Sequence, residues 1–383
     1  PNMSEYQKIS PIANQILKKY ELFDNCLGRL FSKQLRLSSN KLLGKKLRKN
    51  QKQKQKCHVC KNIFDNLDYF LKMMIDVSSN YSFDSFSIGT TLKPSIIDRD
   101  DNIRSKFKLK GIDGIKTDIT KELGKLFSKK TKHHVSNQNP EVSFTVNLKD
   151  ESCIIRSKLI ILSGRYIKTL RDIPQRQKSC DNCSGKGCRI CDFHGISKFD
   201  SVEGVISRYI FEKLGGTTAK FTWIGGEDKS SLVLGSGRPF FVKLQNPNKR
   251  NFRKTTKILD SLKIFELKIV NESPKKPIKF ISSIKIKITS KSNIDTKLLK
   301  NLKILQNNHV IVSEPSGKRS EKKISSLSYK KTSDNSFFLH LKAEGGLPIK
   351  RFVSGDDISP NISQILCVPC ICHEFDFLDI EVE

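Results

Sequence analysis

Apolar positions along the chain change period several times, and each change predicts an element. Over residues 5–35, Ile9, Ile12, Ile16, Leu17 and Leu22 fall at steps of three and four, which predicts helix. A second helical run follows Cys60, through Ile63, Phe64, Leu67, Phe70 and Leu71. Residues 86–92, 142–148 and 153–162 are rich in β-branched residues and alternate, so they read as strands. Between them, Asp118–Phe127 has an amphipathic helical pattern. Ser201–Leu214 places Val202, Val205, Ile206, Ile210, Phe211 and Leu214 on one helical face. From residue 262 to 312 the pattern is β-like. Residues 321–342 predict two antiparallel strands, and FDFLDIEVE predicts a last strand.

Length, charge and cysteine usage narrow what these elements can serve. A chain of 383 residues can bury two or three cores. It carries 70 Lys and Arg against 39 Asp and Glu, a net charge of +31. That excess suits a polyanion, because each phosphate neutralised releases counterions. A bias toward Lys, Ile, Asn and Ser is the bland alternative. The basic run Lys45–Lys56 reads as a solvated segment when free and as an arm near phosphates when nucleic acid is bound. Lys243–Lys257 is a second basic stretch. No run approaches the ~18 apolar residues of a membrane span. No apolar secretory segment opens the chain, so a cytoplasmic location is expected.

Most of the 11 cysteines stand in C-x-x-C pairs. In a chain without a secretion signal this favours metal over disulfides. Cys180-x-x-Cys183 and Cys188-x-x-Cys191 form two knuckles separated by four residues, with Gly185 and Gly187 at the turn. Four thiolates match a closed tetrahedral zinc site, which is structural because no coordination position stays open. A reduced-thiol cluster is the competing reading. Cys57 and Cys60 form another pair at the head of a helical run, and a zinc site there needs further ligands from elsewhere, with His58 an awkward donor. Cys367, Cys370 and Cys372 read as core or surface thiols.

The stretch with most chemistry is FTWIGGEDKSSLVLGSGRPFFVKLQNP, residues 221–247. Glu227 and Asp228 follow a glycine pair, and Arg238 follows a second glycine turn. A carboxylate on a glycine loop beside a cation is a way to orient a reactive Asp. A β-hairpin with an acidic turn is the plain alternative. Residues 164–175 set Arg165, Lys168 and Arg171 around Tyr166. That arrangement predicts a phosphate-and-base clamp, or else a surface strand entering a linker.

The segment 221–247 resembles the tenth class of tRNA pseudouridine synthases, which carries an N-terminal THUMP-type domain and occurs in archaea and eukaryotes. The matching residues are Gly225, Glu227, Asp228, Leu234, Gly235, Gly237, Arg238, Pro239, Phe240, Asn246 and Pro247. The resemblance covers roughly residues 15–383. It implies an α+β fold: a THUMP-like α/β RNA-binding domain over residues 1–175, a zinc knuckle over 176–196, and a synthase domain of mixed, mostly antiparallel sheet over 197–383.

It further implies isomerisation of uridine 54 and/or 55 in the tRNA T-loop, without a catalytic cofactor. Asp228 would be the catalytic aspartate. Lys350 falls at the cation of the family's glycine-turn segment, with Gly346 and Leu347 beside the substrate. Arg238 is the candidate second cation, since Gly226 stands where many synthases have Arg. Glu227, Phe280, Arg165, Tyr166, Lys168 and Arg171 are the further substrate-binding candidates. The partner implied is tRNA, through T-loop and acceptor end, with no membrane and no protein partner indicated.

Besides Gly226 and a turn shortened to Asp357-Ile358-Ser359-Pro360, the sequence departs from the family pattern at three more positions. Phe23 stands where the family has the first N-terminal zinc cysteine and Cys26 at the second, so the resemblance implies a site of Cys26, Cys57 and Cys60. Ile281 and Pro348 stand at two expected tyrosines. Ile281 and Pro348 keep a non-catalytic tRNA-binding protein or RNA chaperone as the rival. A THUMP-bearing methyltransferase or thiouridine synthase ranks below it, because neither a cofactor loop nor a pyrophosphatase loop is present.

Overall fold

Buried apolar residues gather into two separate clusters, one drawn from residues 9–148 and one from 160–380. The structure, a computed structural model, describes residues 3–383 apart from 34, 36–38, 54, 111 and 112. Of the basic run 45–56, Lys54 therefore lies outside the described residues. The chain divides into Pro1–Lys158 and Leu159–Glu383. Among the described residues, no helix is long and apolar enough to cross a membrane.

The first unit opens with helices α1 (Met3–Lys19), α2 (Asp24–Arg29) and α3 (Asn40–Arg48), and continues with α4 (Leu67–Ser78). Then come β1 (Ser85–Thr91), α5 (Pro94–Lys106), α6 (Ile115–Thr131), β2 (His134–Val135), β3 (Val142–Asn147) and β4 (Ser152–Ser157). The sheet runs β2-β1-β3-β4; β1 is parallel to both neighbours, and β3 and β4 are antiparallel. On β3, Val142, Phe144 and Val146 are buried on one face, and α6 buries Ile115, Ile119, Leu123 and Phe127 at helical spacing. Phe127 meets Phe86 and Phe144 with ring centroids 4.8 and 5.0 Å apart.

Helices α2 and α3 cross at glycines. A Cβ on Gly28 would overlap the Asn40 main-chain oxygen, and one on Gly44 would overlap that of Asp24. The start of the basic run is thus no solvated arm. Leu47 and Arg48 are buried in α3, and Arg48 Nε stands 2.7 Å from Asp24 Oδ1.

The second unit contains β5 (Ile160–Lys168), α7 (Val202–Leu214), β6 (Ala219–Trp223), β7 (Val233–Leu244), β8 (Thr255–Leu259), β9 (Leu262–Val270) and β10 (Phe280–Ser290). It continues with α8 (Thr296–Leu299), β11 (Asn308–Ser313), β12 (Arg319–Ser333), β13 (Ser336–Glu344), α9 (Ile349–Ser354), β14 (Ile358–Ser359), α10 (Ile362–Leu366) and β15 (Cys370–Val382). One sheet runs β14-β11-β12-β13-β10-β15-β7-β5-β9-β8, with β6 on β7. Its pairings are antiparallel except between β15 and β7. Helix α7 starts at Ser201, whose hydroxyl accepts the Gly204 N–H at 2.9 Å.

Two expectations need correction here. The domain boundary expected at residue 175 lies inside the second unit. Residues 160–168 form β5, an interior strand between β7 and β9, with Leu162 and Tyr166 in the core. The β reading of 262–312 is broken by α8 and a 3₁₀ segment, Lys300–Leu305, because Leu299, Leu302 and Leu305 recur every third residue and are all buried.

A buried charge cluster joins α2, α5 and α6. Arg29 donates to both Asp100 oxygens at 2.6 and 2.9 Å, and its Nε lies 3.5 Å from Asp118. Burial, partly opposed by Arg29, pushes the Asp118 carboxyl up to about 6 from 3.8. A raised folded pKa means the fold prefers the protonated acid, so stability is present below the ordinary value and lost as pH rises through about 6. Urea unfolding of wild type and Asp118→Asn should therefore coincide below about pH 4 and diverge above pH 6, the wild type becoming the weaker by on the order of 2–3 kcal/mol. A gap independent of pH would remove this account.

Candidate active site

The glycine loop between β6 and β7 holds its two acids in opposite environments. The Asp228 side chain is 36% exposed and forms an ion pair with Lys350, itself 62% exposed. Glu227, one residue earlier, has no side-chain exposure. Its two oxygens lie 3.2 Å from Lys168 Nζ and 3.2 Å from Arg238 Nε, and neither cation has exposed side-chain surface. Gly225 makes this path possible. It sits at φ +88°, and a Cβ there would collide with the Arg238 guanidinium and come within 2.7 Å of the Phe280 ring.

Lys350 is carried by the second residue of α9, just after the turn through Gly345 and Gly346. Gly346 has φ +87°. The hydrogen bond to Asp228 raises the Lys350 pKa, so the lysine is charged throughout the neutral range. Asp228 and Lys350 open into a 450 Å³ cleft whose walls include Leu347, Pro348, Phe375 and Phe377. That volume falls within the roughly 300–1,000 Å³ of small-molecule sites. A carboxylate beside a cation, against apolar and aromatic walls, can act on a flat polar ring as nucleophile or base.

The cysteine knuckle lies in the same unit. The Sγ atoms of Cys180, Cys183, Cys188 and Cys191 all lie within 4.8 Å of one another. Cys191 Sγ stands 3.8 Å from that of Cys183 and 3.7 Å from that of Cys188. A tetrahedral ion with ~2.3 Å metal–sulfur bonds has edges of about 3.8 Å. Main-chain N–H groups of Gly187, Cys188 and Gly195 donate to the sulfurs at 3.2–3.3 Å, as thiolates require. Gly187, at φ +92°, is a forced choice, since a Cβ would lie 2.7 Å from the Phe193 oxygen. The residues present fit a structural zinc ion.

In the first unit the thiols of Cys26, Cys57 and Cys60 also lie within 4.8 Å of one another, all buried. Phe23 contributes only its main-chain N–H, 3.3 Å from Cys57 Sγ. The His58 ring packs on Tyr20 at 4.9 Å, and among the described residues no fourth donor joins the group. Three thiols do not complete a closed zinc site.

Comparison with known proteins decides the family. Residues 161–381 match the family model "Pus10, C-terminal", and residues 70–147 match "Pus10 THUMP domain, archaeal". The tRNA pseudouridine synthase Pus10 of Nitrosopumilus maritimus (strain SCM1) is 68% identical over 381 residues, covering 100% of both chains. That of Cenarchaeum symbiosum (strain A) is 35% identical over 366 residues, 95% of this chain and 90% of the relative. That of Methanothermobacter marburgensis is 30% identical over 379 residues, 93% of this chain and 94% of the relative. The chain belongs to the Pus10 family. It is an α+β isomerase of the pseudouridine synthase class, with a THUMP domain in its first unit.

Within the Pus10 fold, the residues singled out from sequence divide sharply. Asp228 and Lys350 meet, and Leu347 lines their cleft. Arg238 serves Glu227 rather than Asp228. The clamp expected on 165–171 is not assembled. Tyr166 and Lys168 are buried, because β5 alternates and places them on its core face. Arg171 is tied to Asp376 by two bonds of 2.7 and 2.9 Å. Arg165 is spent on the glycine turn, with Nη1 3.2 Å from the Gly237 oxygen. Glu227 has no surface left for substrate. Phe280 packs on Gly225 and Gly345 and lines a neighbouring 540 Å³ cavity with Lys279 and Lys322. The aromatic walls missed from sequence are Phe375 and Phe377, whose F-x-F spacing on the last strand was the available signal.

Proposed function

We propose that this chain isomerises uridine to pseudouridine in the T-loop of tRNA, at position 54, 55 or both, with Asp228 as the catalytic aspartate. The observation that carries this reading is the half-exposed Asp228 carboxylate held by Lys350 in a cleft with Phe375 and Phe377. The target uridine leaves the stack to enter that cleft. Its N1–C1′ bond breaks, the uracil turns in place, and C5 bonds to C1′. The C5 proton then passes to N1 by way of base and solvent, so the product is an isomer and no cofactor is consumed. Asp228 acts on the ribose or the base, as nucleophile or general base. Lys350 orients it, and the two phenylalanines flank the ring.

The net charge of +31 supports a polyanionic substrate. The THUMP-bearing unit would engage the acceptor end. Cys180, Cys183, Cys188 and Cys191 would hold one zinc ion that pins the chain between β5 and α7. The rival, a tRNA-binding protein without turnover, keeps Ile281 and Pro348 as its evidence.

Carbodiimide-based primer extension on an unmodified tRNA transcript tests the reading. Stops at 54, 55 or both are expected with wild type. Asp228→Asn should lower the rate at least ~10³-fold with tRNA affinity retained, within the range of general-base contributions. Wild-type protein that binds tRNA but yields no stops would favour the binder. Metal analysis tests the knuckle. One zinc per chain is expected, lost in Cys183→Ser and retained in Cys57→Ser; two per chain would mean that the three-thiol cluster finds a fourth ligand.

A further inference from the structure

We propose that Glu227 is a positioning residue: with Lys168 and Arg238 it forms a buried ion cluster that aims Asp228, and it touches neither substrate nor reacting atoms. The proposal rests on the reading of Asp228 as the catalytic aspartate.

The loop from Ile224 to Ser231 has no regular secondary structure, so its carbonyls need other partners. Inward-facing side chains supply them. Arg238 Nη1 donates to the Ile224 oxygen at 2.8 Å, and Gln175 Nε2 to that of Gly225 at 3.1 Å. Lys168 Nζ lies 3.4 Å from the oxygens of both Asp228 and Lys229. Arg171 Nη1 donates to the Ser230 oxygen at 2.7 Å. The main chain adds Ser231 N–H to the Asp228 oxygen at 3.0 Å and Ile173 N–H to the Lys229 oxygen at 3.1 Å. The backbone on both sides of Asp228 is therefore gripped from inside, and its side chain is left toward the cleft.

Glu227 is what lets the grip exist. Lys168 and Arg238 have no exposed side-chain surface, and two buried cations without an anion would repel each other and carry a large desolvation cost. Glu227 bridges them, one oxygen to each. Arg238 also lies 4.4 Å from the centroid of Phe377, so the same cluster touches the wall of the cleft. The chain neighbour of the reacting acid thus fixes the loop, and its charge is used up internally.

The test is steady-state kinetics on full-length enzyme with a tRNA transcript, for Glu227→Gln, Glu227→Asp and the double variant Lys168→Met/Glu227→Gln, beside Asp228→Asn. Glu227→Gln keeps the shape and removes the charge. It should lower kcat at least 30-fold while KM and tRNA affinity stay within about threefold. Glu227→Asp should recover part of kcat, because the charge returns on a shorter arm. The double variant restores the net buried charge and so supplies a folded protein if the single one melts. It should keep the low kcat with unchanged KM, because the Lys168 grip is gone. Wild-type kcat in Glu227→Gln or in the folded double variant overturns the proposal. So does a parallel loss of kcat, binding and melting temperature that Glu227→Asp does not relieve, which marks a purely structural role. Turnover surviving in Asp228→Asn would instead defeat the reading of Asp228, whatever Glu227 does.

Discussion

The placement of the site depends on one buried carboxylate. Glu227 is the only anion that bridges Lys168 and Arg238 among the described residues, and all three side chains are shut off from water. In such a setting the Coulomb attraction largely repays desolvation rather than adding net stability. Removing one partner, however, strands charge and typically costs about 3–5 kcal/mol. The cluster therefore acts less as a source of stability than as a constraint. It allows one loop conformation and penalises the others. The cations come from β5 and β7, which are paired strands, so the loop inherits the rigidity of the sheet centre.

This arrangement explains which parts of the site were legible in the sequence. Asp228 and Lys350 could be matched because each sits in a short segment with its own glycine turn. The division of labour between Glu227 and Asp228 could not be seen. Adjacent acids on an irregular loop have no period that says which faces inward. For Tyr166 and Lys168 the signal was present. Ile160, Leu162, Gly164, Tyr166 and Lys168 are the buried positions of a strand that alternates along its length. A lysine on the apolar face of a strand implies a buried anion partner, and the grouping of Lys168 with Arg165 and Arg171 as one clamp overlooked that face. The domain boundary was hidden for a different reason. Lys158 and Leu159 join two strands without glycine, proline or a change of composition, so only the pairing partners separate β4 from β5.

The cysteines make a parallel case. Spacing alone found the four-thiol knuckle, because two C-x-x-C turns joined by glycines leave the sulfurs few other arrangements. The family resemblance, rather than spacing, added Cys26 to Cys57 and Cys60, and the three thiols do lie together. What decides that cluster is the fourth position, where Phe23 contributes a main-chain N–H to Cys57 and buries its ring. The geometry of the region survives without a complete ligand set because these residues belong to the apolar core that surrounds them.

The two partners of the exposed ion pair reach it by different routes. Asp228 is fixed from within by the buried cluster on β5 and β7. Lys350 arrives 122 residues later in the chain (350 minus 228) on α9, which packs against β15, and β15 in turn lies beside β7. The lysine is long and 62% exposed, so its own position is soft. Precision at the Asp228 carboxylate has to come from the aspartate side, where the carbonyls of Ile224, Gly225, Asp228, Lys229 and Ser230 are held. That asymmetry suits the proposed reaction, in which the base would detach, turn and reattach within one cleft, because the group proposed to meet the substrate at both ends of the turn is the one held from within.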